Sequence, residues 1–194
     1  MKPFSGFESK NNVSGGYPAL PAGCYVAQIL GARVESGQYG DTMLMQVDII
    51  EGEYLGYYRK QYESQQGSNF GQKYKGVYRL RVPADDGTER DQWAKNAFGG
   101  AMWAIEQSNP GYHWDWNEKA LKGKNIGLLF RNEEWAMNGN TGWRTACGAL
   151  ESVEAVRSGK FKPLKDKPLP ANKKPAPAFT PDISVDENEV DLPW

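Results

Sequence analysis

The sequence predicts a mainly β fold: a five-stranded sheet closed into a small barrel, with one main α-helix between the third and fourth strands and a disordered tail at the C-terminus. Three observations predict it. Short apolar runs with period-two alternation, bounded by Gly, Asn and Asp, recur up to residue 150. A single long stretch, 88–108, carries a helical period instead. Beyond Gly159 the chain turns to Pro and Lys and loses nearly all aliphatic side chains, so it cannot bury enough surface to offset its chain entropy.

The first two strands are 24–34 (CYVAQILGARV) and 42–50 (TMLMQVDII), the second with Met43, Met45, Val47 and Ile49 on one face. ESGQYGD turns between them. EGEYLG then leads into 57–62, whose tyrosines read as a further short strand. In 74–82 (YKGVYRLRV), Tyr78, Leu80 and Val82 share the core side, and Lys75, Arg79 and Arg81 take the other. The helix starts at Thr88, a plausible N-cap with Asp91 three residues on. Trp93, Ala97, Phe98, Ala101, Met102 and Ile105 form its apolar stripe, and Asn109-Pro110-Gly111 ends it. Strands 124–131 and 143–150 follow, joined by a Gly- and Asn-rich loop at 136–142, and a short helix at 151–158 closes the domain. The order strand, strand, strand, helix, strand, strand, with an insertion, suits an OB-type barrel, in which closure hides the strand edges. A β-sandwich or an α+β sheet is the alternative. Residues 1–159 thus form the body, 160–181 a Pro/Lys-rich linker and 182–194 an acidic tail.

The 194 residues carry a net charge of −1, which argues at first against a nucleic-acid partner. Divided by segment, the total is a cancellation: −1 over 1–157, +5 over 158–181 and −5 over the last thirteen residues. Within the body, Arg59, Lys60, Lys73, Lys75, Arg79 and Arg81 face one acid, Glu63, across 57–81. Tyr57, Tyr58, Tyr62, Phe70, Tyr74 and Tyr78 are interleaved with them. Cations that track phosphates and rings that stack on bases are what a single strand needs for sequence-independent binding. Tyr62 and Tyr74 are the candidate stacking rings; the competing reading is a basic sheet face with its tyrosines in the core. A second candidate surface is the hairpin at 131–144, where Arg131, Trp135, Trp143 and Arg144 flank the tip, since the loop joining the last two OB strands helps hold oligonucleotides. Trp114 and Trp116 are read as packing residues.

Enzyme chemistry finds little support. His113 stands alone, and no phosphate loop or dinucleotide fingerprint is present. Cys24 and Cys147 are the only cysteines, too few for a zinc site or a disulfide framework. No cofactor and no metal are expected. The enzymatic alternative is an Mg²⁺-dependent nuclease built on Asp48, Glu51 and Glu53, or on Asp85, Asp86, Glu89 and Asp91; a strand-annealing recombination protein is the other rival. The same acids serve equally as turn and helix-N-terminal residues. The N-terminus has no apolar signal core and no window is long enough to span a membrane, so a cytoplasmic protein is expected. An assembly of several copies is left open.

The chain ends in Asp191, Leu192, Pro193 and Trp194 behind an acidic run. Solvation gains nothing from a terminal Trp, whereas a partner pocket takes the ring and a basic rim takes the carboxylates. DENEVDLPW resembles the tip of bacterial single-stranded DNA-binding proteins, an acidic run closing in Asp-Ile/Leu-Pro-Phe, with Trp in place of Phe. LPAGCYVAQI, GEYLGYY and SVEAVRSGKFK resemble in layout the phage-encoded proteins that bind single-stranded DNA. The resemblance implies an OB fold, a role in phage DNA replication or recombination in the host cytoplasm, and recruitment of replication or recombination proteins through the tip.

Overall fold

A computed structural model describes residues 17–66 and 72–170, so the acidic tail, with the residues 191–194 expected to meet a partner, lies outside the described residues, as does Phe70. The elements run β1 (Gly23–Glu35), β2 (Thr42–Ile49), α1 (Tyr57–Glu63), β3 (Val77–Arg81), α2 (Glu89–Ser108), a 3-10 turn (Glu118–Leu121), β4 (Asn125–Met137), β5 (Asn140–Glu151) and α3 (Val153–Ser158). The five strands form one antiparallel sheet in the order β3-β2-β1-β4-β5.

The expected barrel closure is absent: β3 and β5 share no ladder and are the two edges of the sheet. β3 has only five residues, and the side chains of Tyr58, Tyr78 and Cys147 stand at the seam where backbone hydrogen bonds would be needed. The alternation expected in β2 holds, with Met43, Met45, Val47 and Ile49 all buried. Opposite them in the ladders lie Ala27, Ile29 and Ala32 of β1 and Tyr78 and Leu80 of β3. Helix α2 covers this inner face with Phe98, Ala101, Met102 and Ile105. The Thr88 hydroxyl accepts the Asp91 N–H at 3.1 Å, so the expected N-cap is present.

Three local expectations need correction. Residues 57–62 are helical, not extended. Tyr57 and Gln61, four apart, share the buried side of α1, and the Asp48 carboxylate accepts the Tyr58 N–H at 3.0 Å in the first turn. The loop expected at 136–142 is a two-residue turn, Asn138-Gly139, with both residues at positive φ and the strands paired up to Met137 and Asn140. In α2, Trp93 and Ala97 are exposed, so the buried stripe begins at Ala94 and Phe98.

Beyond α3 the chain does not leave the body at once. Residues 160–170 lie along β4: the Lys167 N–H donates to Asn132 O at 2.8 Å, and the Glu134 N–H donates to Lys167 O at 2.9 Å. Lys167 thereby forms a parallel bridge with Glu133 on the free length of β4 past its pairing with β1.

Candidate nucleic-acid interface

The unclosed seam between β3 and β5 is a groove of about 410 Å³. Its floor is the inner side of the sheet, with Val47, Tyr78, Leu128, Phe130 and Cys147, joined by Tyr58 from α1. Lys75 and Arg79 stand on one bank, and Arg144 and Glu133 on the other. Lys75, Arg79 and Arg144 are all exposed. The sequence placed these cations in two unconnected segments, and the open seam brings them together.

The floor carries no charge at working pH. Burial pushes the Cys147 thiol and the Tyr78 phenol each up to about 12, and raises Tyr58 as well. The one carboxylate on the banks, Glu133, is committed. Its Oε1 accepts from Arg131 at 2.9 Å and lies 3.8 Å from Lys167, and its Oε2 lies 3.6 Å from Arg144. Burial opposes its ionisation, yet the Arg131 hydrogen bond and the charges of Lys167, Arg131 and Arg144 outweigh burial and hold it below the usual carboxylate range.

The remaining expected residues divide. Arg81 ends β3 opposite Thr42, with its guanidinium against the β1–β2 turn: a Cβ on Gly40 would stand 3.3 Å from Nη2. Arg79 shares the outer face of the sheet with Leu44 and, one strand further, Arg33. Arg33, ion-paired with Glu35 at 2.7 Å, extends this face, and Tyr39 in the β1–β2 turn is 70% exposed; neither stands out by charge density along the chain. In β1, Arg33 is an even number of residues from Ala27 and Ile29, so plain alternation would place it with the core; the register shift after Ile29 moves it opposite Leu44 on the outer face.

Arg59 and Lys60 do not join the groove. They line a second hollow of about 380 Å³ with Gln28, Asp48 and Glu63, and Arg59 Nε sits 3.9 Å from Asp48 Oδ2. Tyr74 is a packing residue: its hydroxyl donates to Val47 O at 2.9 Å, and its ring lies 6.3 Å from Tyr58 and 6.1 Å from Tyr62. Tyr62 is the more exposed of this pair. Lys73 is exposed on a segment pinned by Gln65, whose Oε1 accepts the Lys73 N–H at 2.8 Å. On the hairpin, Arg131 is tied to Glu133 and half-buried. Trp135 lies over Gly142, where a Cβ would meet its ring at 3.0 Å. Trp143 is 54% exposed and shares the strand face of Thr145 and Cys147, which line the groove.

Trp114 packs against Phe98, as expected. Trp116 is 78% exposed while stacking on Phe98 at 6.2 Å. Five of the acids weighed as metal ligands have other partners: Asp48 accepts from Tyr58, Glu51 pairs with Arg157, Asp85 pairs with Lys95, Asp86 accepts from Thr88, and Asp91 accepts the N–H of Ala84 and Asp85 and pairs with Lys95. Among the described residues no three His, Cys, Asp or Glu side chains gather where a metal ion could sit, and no helix is long and apolar enough to cross a membrane. No family model matches the chain, and comparison with curated proteins finds no match.

Proposed function

We propose that this protein binds single-stranded DNA without reading its sequence, in phage DNA replication or recombination, and that its acidic tip recruits partner enzymes. The observation that carries the reading is the convergence of Lys75, Arg79 and Arg144 on one open groove with an uncharged, aromatic floor. A duplex presents a regular double row of phosphates, whereas a single strand can lay its phosphates along the banks and turn its bases to rings such as Trp143 and Tyr39. The strand order supports the same reading: joining β3 to β5 would close the ring in the order 1-2-3-5-4, which is that of the OB barrel, a partly open architecture that binds oligonucleotides on its second and third strands and on the loops beside them. In this reading affinity rests on phosphate charge and stacking rather than on base edges.

The test is the salt dependence of binding. Each neutralised phosphate contributes about 0.7 to the log-log slope on a single strand. Reversing charge in Arg79→Glu and Arg81→Glu therefore flattens the slope for oligo-dT by about 1.4 if each contacts one phosphate. An unchanged slope removes this face from the account.

A further inference from the structure

Residues 160–170 are built onto the body in a way that a mere spacer does not require. Phe161 and Leu164 line a hollow together with Gly23, Leu129 and Phe130, and a Cβ on Gly148 would stand 2.9 Å from Leu164 Cδ1. The Asn132 N–H donates to Asp166 Oδ1 at 3.1 Å, and the Leu169 N–H donates to Glu134 Oε2 at 2.9 Å. With the Lys167 bridge, these contacts hold the strap along its length. Its side chains then sort by character: Phe161, Leu164 and Leu169 are half-buried, while Lys160, Lys162, Lys165 and Lys167 are exposed. The only acid in the strap, Asp166, is engaged by Asn132.

The strap also starts where the groove stops. Lys167 Nζ and Arg144 Nη2 lie 3.8 and 3.6 Å from the two oxygens of the same Glu133 carboxylate, and Arg144 lines the groove. Cations therefore continue from Lys75 and Arg79, through Arg144, to the lysine row of the strap. At up to about 3.3 Å per residue, the run from Lys167 to Lys160 adds roughly 23 Å to that track.

We propose that Lys160, Lys162 and Lys165 form a second phosphate-binding track, along which single-stranded DNA leaving the groove past Arg144 continues over the strap. This rests on the groove being a single-strand site. It gives the lysines of 160–167 a role beyond spacing: they hold phosphates.

The experiment compares the full chain with the triple variant Lys160→Gln, Lys162→Gln and Lys165→Gln, with the same three positions changed to Arg, and with Arg79→Gln. Salt-dependent binding to labelled oligo-dT is measured for each, and thermal melts establish that each folds. The account expects the Gln triple to lower the log-log slope by about 2, the Arg triple to keep it, and Arg79→Gln to lower it by about 0.7. A wild-type slope in the Gln triple beside a lowered slope in Arg79→Gln overturns the strap track alone and leaves the groove standing. Equal losses in the Gln and Arg triples overturn it too, since charge would then not be what matters. A loss in the Gln triple with none in Arg79→Gln overturns the continuity between groove and strap, and absence of all binding at low salt overturns both readings.

Discussion

Glu133 shows how much of the interface turns on single side chains. It is the carboxylate shared by Arg131, Arg144 and Lys167, and it stands on the bank where phosphates are proposed to bind. Replacing it by Gln removes a competing anion from Arg144, so Glu133→Gln is expected to tighten oligo-dT binding by several-fold, from the roughly 1 kcal/mol that a partly exposed ion pair withholds. Weaker binding would contradict this. The same substitution alters the acid response. Because its folded pKa is depressed, Glu133 contributes stability that is complete above its ordinary value of 4.5 and is lost as pH falls through the depressed value. The wild type is therefore expected to lose melting temperature more steeply than Glu133→Gln below about pH 4.5, which a pH series of thermal melts reads directly. None of this was legible in the sequence, where Glu133 is one acid in a hairpin and its three partners lie two, eleven and thirty-four positions away.

At the scale of elements, what was legible followed from periodicity, and what was missed followed from propensity. In β2 and β3 the core residues follow period two, so Met43, Met45, Tyr78 and Leu80 could be assigned inward and Arg79 and Arg81 outward from spacing alone, although Leu44 and Asp48 are buried on the other face of β2 as well. α1 could not. Its tyrosines carry strand propensity, while the features that make it a helix, the Tyr57 and Gln61 pair and the anchor at Asp48, depend on contacts across the fold. The strap could not be read from spacing either: Phe161, Leu164 and Leu169 are too few to signal burial by themselves, and only the fold shows that β4 runs past β1 and leaves an edge for Lys167 to pair with. Gly76, just before β3, ties two of these elements together. A Cβ there would fall 2.4 Å from Val47 O and 2.6 Å from the Tyr58 ring, so Gly76→Ala must push β3 from β2 or lift α1. The expected cost is about 2–4 kcal/mol in denaturant unfolding, with the groove bank lost alongside. A variant with wild-type stability would mean that α1 is packed differently.

Over the whole molecule, the near-zero net charge conceals opposite contributions: a body with a basic groove and a lysine strap docked beside it, against an acidic run in the last thirteen residues of the sequence. The abundance of aromatic residues divides in the same way. Tyr57, Tyr58, Tyr78, Phe98 and Trp114 belong to the core or its lining and Tyr74 packs on Tyr58, whereas Tyr39 and Trp143 stand exposed at the turn and the hairpin, and Trp93, Trp103 and Trp116 are exposed on and beside α2, away from the groove. Composition alone could not divide them, because exposure follows from the fold, in which the sheet stays open between β3 and β5. The central claim is that this opening holds a single strand, and tryptophan fluorescence during titration with oligo-dT at low and high salt tests it most directly. The account predicts a quench that shifts to higher DNA concentration as salt rises and that is markedly reduced in Trp143→Phe. No binding at low salt, or a quench indifferent to both salt and Trp143, would contradict it.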